Sequence, residues 1–351
     1  DLSDVRLGQE HYQGCVVKAD DGRVYAVAGH NHMSLVRVDG FEQVQRLAGA
    51  LAVSAEDLDR TRDWDLQRSA LEGARRERKA CRVPFLSRDP QVTGELTSWP
   101  PDLFVVIHET SQRGAHTGVV RTIHAKGALA YSEKYLHVAA RALDPSPMQN
   151  TARDPVRVFQ GGDAVDVTLG LDPAADPARR GPVAGDLRLV FSIVRGEPTA
   201  VLYRPVAPDV PKAEAVRFES PVGMTALDQV KILREARVAV QTGTDSEGRR
   251  FWSLTAAVPW SALDAEPPAE GVVLRGDIGI LRSDPNGVLT AGRLYWSGKG
   301  QTVVCDVPSE ARLAPALWGE LHFAASSLLD LGAEDSFVPT PGADVEDILG
   351  P

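Results

Sequence analysis

Cysteine and long apolar runs are scarce in this sequence, and each scarcity excludes a class of protein. The three cysteines, Cys15, Cys81 and Cys305, form no C-x-x-C pair and no C-x-x-C-H motif. Covalent haem attachment is therefore excluded, and at most one disulfide is possible. A disulfide between Cys15 and Cys81 in an oxidising compartment and buried free thiols are the alternatives. No apolar run approaches the ~18 residues of a membrane span, so we predict that the chain does not cross a membrane.

Positive charge is also in deficit. Lys and Arg number 38 against 48 Asp and Glu, which gives a formal net charge of −10 and an isoelectric point near 5.3. A nucleic-acid surface needs clustered Lys and Arg, so this balance argues against one and suits neutral or cationic ligands, or metal ions. A hydrophobic content of 43% over 351 residues is that of a soluble globular protein with room for two domains.

Common catalytic motifs are missing as well. The sequence contains no G-x-S-x-G, Walker, H-E-x-x-H or G-x-G-x-x-G motif. Four histidines of the middle region have no nucleophile spaced near them: His108, His116, His124 and His137. We therefore predict that this chain itself is non-catalytic. The chain starts at Asp1 without a signal peptide, and we expect a mature or trimmed fragment.

The segment 130–172 contains two alternating patterns that predict β-strands. Between residues 135 and 142 the even positions are apolar, whereas the odd positions include His137 and Arg141. Between residues 164 and 169 the odd positions are Val, Val and Leu, and the even positions include Asp166. A period of two is typical of half-buried strands, and Gly161 and Gly162 precede the second one. We expect these two strands to pair with each other.

The two strands resemble the "YLYVAxxxxD" and "GDSVExxxD" strands of family 9 carbohydrate-binding modules and of the wider DOMON-like β-sandwich family. Further motifs of the family follow in its order, at 92–99, 251–263, 276–284, 294–297 and 318–323. The resemblance implies an antiparallel β-sandwich of jelly-roll type, with Trp99 packed into its core.

The largest departure from the family is an insertion over 173–235. It begins with a loop rich in Pro, Ala and Gly at 173–185. The strands 187–194 and 199–203 then predict a hairpin that turns at 195–197. Residues 205–212 are interpreted as a surface connection.

The N-terminal region has a different pattern. Residues 14–18, 23–28, 34–38 and 44–47 are predicted strands separated by turns, and the first and third of these turns contain Asp-Gly. These strands resemble the last blade of a β-propeller, which implies that this segment packs on upstream blades, on another chain or on the second domain.

The predicted fold class is all-β. An antiparallel DOMON-like sandwich spans 83–323 and carries the propeller-blade-like segment 1–55. A helical linker at 56–82, which begins with a capping-box pattern, joins them. Residues 324–351 are predicted as an extended tail.

The resemblance also implies a ligand site, from which this sequence departs. Family 9 modules hold a sugar between two Trp side chains, at positions occupied here by Gln160 and the neighbourhood of Arg312. We predict a ligand-binding end formed by the loop before Gly161 and the loop after the 276–284 strand. Its candidate contact residues are an aromatic wall and three rim residues: Phe159, Gln160, Asp163 and Asp284. The alternative is that Phe159 closes the core and Asp163 caps a turn.

Metal ions and haem are further candidates. Carboxylates at strand ends suit structural calcium: Asp144, Asp166 and Asp172. His30 and His32 form a spacing that zinc or copper can use, or else a polar loop. DOMON relatives that bind haem b ligate the iron through Met and Lys, and this chain offers Met148, Met224, Lys126 and Lys231.

The function predicted from the sequence is a non-catalytic binding module of a larger secreted or periplasmic protein, with a polysaccharide or glycan as its partner. One alternative is a structural or assembly domain that packs on a β-propeller and binds no small ligand. The other is a haem b-binding electron-transfer domain.

Overall fold

The computed structural model describes residues 79–108, 124–220, 223–287, 290–297 and 307–325, together with three short strands nearer the N-terminus. The chain divides into two units, residues 1–69 with 113–120 and residues 70–112 with 121–351. The first contains an antiparallel sheet in the order β1-β2-β3, formed by Cys15–Lys18, Val24–Ala28 and Ser34–Val38.

These strands confirm three of the four predicted in this region. The fourth, at 44–47, lies outside the described residues, as do residues 56–78 of the predicted helical linker. The last residues of that linker begin a strand rather than continue a helix. The assignment to a propeller blade stays a prediction.

The second unit is built almost entirely of strands. They are β4 Ala80–Pro84, β5 Val105–His108, β6 His124–Tyr131, β7 Tyr135–Leu143, β8 Ala164–Gly170, β9 Asp186–Val194, β10 Glu197–Arg204, β11 Val216–Ser220, β12 Gly223–Leu227, β13 Gln229–Ile232, β14 Arg237–Thr244, β15 Arg250–Pro259, β16 Val273–Ser283, β17 Thr290–Tyr295 and β18 Gly319–Ala324. The described helices are α1 Val307–Ala311 and the 3₁₀ helices Pro101–Leu103, Pro155–Gln160, Lys212–Glu214, Trp260–Leu263 and Pro315–Leu317. No helix among the described residues is long and apolar enough to span a membrane.

Two sheets form a β-sandwich. The large sheet has the order β13-β10-β9-β8-β16-β18-β4, with β17 also paired to β16, and the small sheet has the order β14-β15-β7-β6-β5. Neighbouring strands are antiparallel except β18 and β4. The strands β11 and β12 form a separate hairpin. The predicted all-β sandwich is confirmed.

The predicted pairing of β7 with β8 is wrong. β7 pairs with β6 and β15 in the small sheet, whereas β8 pairs with β9 and β16 in the large sheet. The two strands instead pack their apolar faces against each other across the core. An alternating pattern identifies the buried face of a strand but not its neighbour in the sheet.

The main core lies between the two sheets. It contains Leu136 and Val138 of β7 and Val165 and Val167 of β8, each at most 1% exposed. Trp252 of β15 is also fully buried there. Burying a side chain of this kind contributes roughly 1.5–3 kcal/mol. The apolar faces predicted for both strands are confirmed.

The outer face of the small sheet is covered by residues 86–104. Trp99 and Leu103 pack there on the small residues Ala128 and Ala139. Trp99 is 5% exposed, so its predicted burial is confirmed, but it packs in this cluster on the outer face of the small sheet and not in the core between the two sheets.

The outer face of the central strands of the large sheet is buried under a second apolar cluster, which we call the outer core. Phe159 of the 3₁₀ helix Pro155–Gln160 contacts Tyr203 of β10 and Phe218 of β11, with ring centroids 5.6 and 5.4 Å apart. The hairpin of β11 and β12 belongs to the predicted insertion, so the insertion provides part of this cover. As a result, all seven residues of β8 are buried.

The hairpin of β9 and β10 forms as predicted. Its turn residues, Arg195 and Gly196, both have positive φ angles, of 52° and 91°. Two residues with positive φ match the twist of the flanking strands and close a tight hairpin.

A buried ion pair joins the outer core to the sheet. Arg188 of β9 donates from Nε to Asp166 Oδ1 at 3.0 Å and from Nη2 to Asp166 Oδ2 at 2.7 Å. Its Nη1 donates to the carbonyl of Glu310 in α1 at 2.7 Å, and the Tyr295 hydroxyl donates to Asp166. Burial and the nearby carboxylate raise the pKa of Tyr295 well above its usual value, so the hydroxyl keeps its proton.

Replacing Arg188 by Met tests the importance of this pair. The variant leaves the Asp166 carboxylate buried without its cation, so we expect the free energy of unfolding to fall by roughly 3–5 kcal/mol in urea denaturation. Arg217→Met, at an exposed position of β11, is the matched control, with an expected change within roughly 0.5 kcal/mol. Equal losses in the two variants would contradict this account of the pair.

Candidate functional site

The two loops of the predicted ligand-binding end are neighbours, as expected. Thr151 Oγ1 donates to the carbonyl of Gly287 at 2.8 Å, which joins the loop before β8 to the loop after β16. The antiparallel pairing of β8 with β16 brings these loops to the same end of the sandwich.

Phe159 is not an aromatic wall of this end. Its side chain is fully buried in the outer core, between Tyr203, Phe218 and the guanidinium of Arg188, whose carbon lies 4.9 Å from the ring centroid. A ring enclosed in this way has no face open to solvent. The prediction for Phe159 is therefore corrected to its alternative, a residue that closes the core.

Asp163 is likewise buried rather than placed at a rim. Its two carboxylate oxygens accept hydrogen bonds from the backbone N–H groups of Ser283 at 2.7 Å and Gln149 at 3.1 Å. Asp163 thus connects the two loops through hydrogen bonds. This role resembles the predicted alternative, in which Asp163 caps a turn. Gln160 and Asp284 are half-buried at this end, and their predicted ligand contacts stay predictions.

The carboxylates predicted to hold calcium have other partners. Asp166 is paired with Arg188, and Asp144 accepts from Arg282 Nε at 3.0 Å and from Ser146 N at 2.8 Å. Asp172 is exposed in a turn, where it accepts from a backbone N–H. Among the described residues, no group of three or more metal-ligating side chains comes together. Structural calcium stays a prediction, and the predicted ligands His30 and His32 lie outside the described residues.

The residues considered for haem do not share one environment. Met148 is buried in the main core, whereas Met224 and Lys231 are exposed on β12 and β13. Lys126 is half-buried on β6 and lies over the ring of Phe104. This placement offers haem no common pocket lined by these residues, and haem binding stays a prediction.

Cys81 carries a free thiol, as in one of the predicted alternatives. Burial, reinforced by the nearby Asp277 carboxylate, raises its pKa to about 12. The thiol is therefore protonated and weakly reactive at neutral pH.

A histidine, a serine and an aspartate meet beside the turn that joins β6 to β7 of the small sheet, which the sequence spacing did not predict. His137 Nε2 lies 3.2 Å from Ser132 Oγ and 3.1 Å from Asp89 Oδ1. Both partners contact the same ring nitrogen, whereas a base that activates serine needs one partner on each nitrogen. Burial lowers the pKa of His137, and its side chain is fully enclosed. The arrangement is therefore structural.

A cleft of about 920 Å³ lies at the opposite end of the sandwich. Its walls are the loops 171–173, 204–210 and 263–269, together with the start of β16. Buried and half-buried aliphatic side chains form its floor: Leu171, Val206, Val210, Leu263, Val272 and Leu274. Polar side chains surround the floor: Asp172, Arg204, Asp209, Gln229, Asp264 and Glu266.

Arg204 fixes the position of the cleft walls. Its side chain is 14% exposed, and Nη1 donates to Asp264 Oδ2 at 2.6 Å and to Gln229 Oε1 at 3.2 Å. Its Nη2 donates to the carbonyl of Leu263. Arg204 ends β10 in the large sheet, whereas Leu263 and Asp264 follow β15 of the small sheet. One guanidinium therefore joins the two sheets at this end.

The sequence interpretation missed this cleft. From the sequence, residues 205–212 are interpreted only as a surface connection. The loops 171–173 and 263–269, which form the other walls, are distant from this segment along the chain. A usable signal exists in the Pro- and Asp-containing loops 205–211 and 264–268. Proline cannot donate to a strand ladder, so such loops diverge from the sheets and leave space between them.

Comparisons with protein-family models and with curated proteins find no match. Solved structures similar to this chain include a family 9 carbohydrate-binding module from Caldicellulosiruptor kristjanssonii in complex with glucose. The identity is 13% and the TM-score 0.39, over 71% of this chain and 97% of that chain. A family 9 module from the same organism in complex with cellotriose has 14% identity and a TM-score of 0.40, over 71% and 95%.

Phe159→Ala tests the assignment of this ring to the core. Truncating a buried Phe removes apolar contacts and leaves a cavity, so we expect a loss of roughly 3–5 kcal/mol in unfolding free energy. Ile232→Ala, a truncation of a 40% exposed side chain, is the matched control with a much smaller expected loss. Calorimetric melting of both variants measures the difference, and an unchanged melting temperature for Phe159→Ala would contradict the assignment.

Asp163 predicts a specific pH dependence of stability. Burial raises its pKa from 3.8 to about 6, although hydrogen bonds from Ser283 and Gln149 act in the opposite direction. Between these two pH values the folded state binds the proton more tightly than the unfolded chain. Stability is therefore lost as pH rises from about 4 to about 6.

Urea denaturation of the wild type and of Asp163→Asn at several pH values between 4 and 7 isolates this group. We expect the stability of the wild type relative to the variant to fall by roughly 3 kcal/mol across this window, and then to stay constant. A relative stability that rises with pH would show that the two backbone hydrogen bonds outweigh the effect of burial.

Proposed function

We propose that this chain is a non-catalytic carbohydrate-binding module of a larger secreted or periplasmic protein, and that glycan binds in the cleft. The observation that carries the proposal is the cleft itself, an aliphatic floor inside a hydrogen-bonding rim. Its volume falls within the roughly 300–1,000 Å³ of typical ligand pockets. The ordered sequence motifs that resemble family 9 modules support the same class of function.

The chemistry of the lining suits a sugar. A pyranose ring presents C–H groups on its faces and hydroxyl groups around its edge. Aliphatic side chains such as Val206 and Val272 match the faces, while carboxylates, the Gln229 amide and the Arg204 guanidinium match the hydroxyls. No aromatic ring is among the lining residues, so stacking adds nothing, and we expect dissociation constants on the order of 1 mM.

The structural or assembly role is a second candidate, and the outer core favours it. The family's two sugar-holding Trp fall at Gln160 and near Arg312, and the segments that carry them, the 3₁₀ helix Pro155–Gln160 and the end of α1, are neighbours. The space beneath these segments is filled by Phe159 and the other side chains of the outer core. A chain that has closed the family's site in this way, and that binds no sugar elsewhere, would serve as a packing domain.

Calorimetric titration with trisaccharides, both neutral and amino-substituted, distinguishes the two functions. We expect binding on the order of 1 mM. Asp209→Ala at the cleft rim should weaken it several-fold, because the variant removes a hydrogen bond worth about 1 kcal/mol. Glu197→Ala, which removes an exposed carboxylate at the opposite end of β10, is the matched control and should bind as the wild type does. Absence of heat with every trisaccharide would contradict the proposed function and favour the packing role.

A further inference from the structure

The cleft is strongly acidic. Four carboxylates and one guanidinium are its only charged lining groups, a formal net charge of −3: Asp172, Asp209, Asp264, Glu266 and Arg204. The guanidinium is 14% exposed and already bonded to Asp264, so it neutralises one carboxylate and leaves the other three uncompensated by the lining.

The remaining carboxylates stand on separate walls. Asp172 follows β8, Asp209 follows β10 and Glu266 follows the 3₁₀ helix Trp260–Leu263, and all three are exposed. Because they are spread around an aliphatic floor, they do not form a compact ligand set for one metal ion, in agreement with the described residues as a whole. They suit a ligand that carries several separated positive charges on an apolar frame.

We propose that the cleft selects glycans that carry protonated amino groups, such as oligomers of glucosamine, over neutral glycans. The proposal rests on the proposed function, since it assigns the sugar class to the same cleft. With no ring in the lining to stack on, hydrogen bonds to hydroxyls discriminate poorly among hexoses. The negative charge of the cleft is therefore the property by which it can distinguish one sugar from another. Each nearby carboxylate attracts a protonated amino group and so strengthens the binding of an amino sugar.

Three trisaccharides with the same β-1,4 linkage test the selection: tri-glucosamine, its fully N-acetylated form and cellotriose. They differ only in the group at C2, which is an ammonium, an amide or a hydroxyl. In calorimetric titrations at pH 6 and 20 mM salt we expect tri-glucosamine to bind at least tenfold more tightly than the other two. The difference should shrink several-fold at 200 mM salt, because exposed charges are screened.

Substitutions that remove charge but keep hydrogen-bonding shape assign the effect to the cleft. The double variant Asp209→Asn with Glu266→Gln should weaken tri-glucosamine binding about tenfold and cellotriose binding far less, because the amide side chains lose the negative charge but keep hydrogen-bonding groups. Glu197→Gln, outside the cleft, is the matched control for general attraction by an acidic protein. Both cleft positions are exposed, so folding should be preserved, and an unchanged melting temperature of the double variant verifies it.

The outcomes separate this inference from the proposed function. Equal affinity for tri-glucosamine and cellotriose overturns the selection but leaves carbohydrate binding intact, whereas no binding by any of the three overturns both. Tri-glucosamine binding that Glu197→Gln weakens as much as the cleft variant is general electrostatic attraction and overturns the inference. If tri-lysine binds as tightly as tri-glucosamine, the cleft selects cations without regard to the sugar, and this result also overturns the inference.

Discussion

The structure depends on the central strands of the large sheet being buried on both faces. Its central strand β8 has no exposed residue, so the polar side chain of Asp166 on the outer face must find its partners inside the protein. Arg188 and Tyr295 supply them, and the same arginine holds the carbonyl of Glu310 in α1. An isolated carboxylate in such a place costs several kcal/mol, so the ion pair and the elements packed over it stabilise one another.

This constraint decides where a ligand can bind. The outer core fills the space over the central strands of the large sheet, and Phe159, which was predicted as an aromatic wall of the ligand-binding end, is part of its packing. Residues 86–104 cover part of the small sheet in a similar way. The two ends of the sandwich are therefore the places left for a ligand to bind. At one end, Asp163 binds two loops tightly together, whereas at the other Arg204 joins the two sheets and leaves the cleft between loops that contain proline.

The sequence predicted the strands and their buried faces because both depend on local alternation. Val165 and Leu136 are in the core for the reason their spacing suggests. Strand partners, in contrast, depend on the whole topology, so the assignment of β7 and β8 to one sheet was wrong. The burial of both faces of β8 could not be predicted from its sequence either. A strand in which apolar residues alternate with a polar residue such as Asp166 normally has one face exposed to solvent. The cleft required three loops from distant parts of the chain, and no local pattern reports their meeting.

The account's central claim is that glycan enters the cleft and not the end beside the outer core. Methyl NMR of Leu and Val side chains during a titration with cellotriose tests it directly, since both regions contain such groups. The account predicts progressive shifts for Val206, Val210 and Val272 in the cleft and unchanged signals for Val156 and Val158 beside Phe159. Shifts confined to Val156 and Val158, with the cleft methyls unchanged, would contradict it.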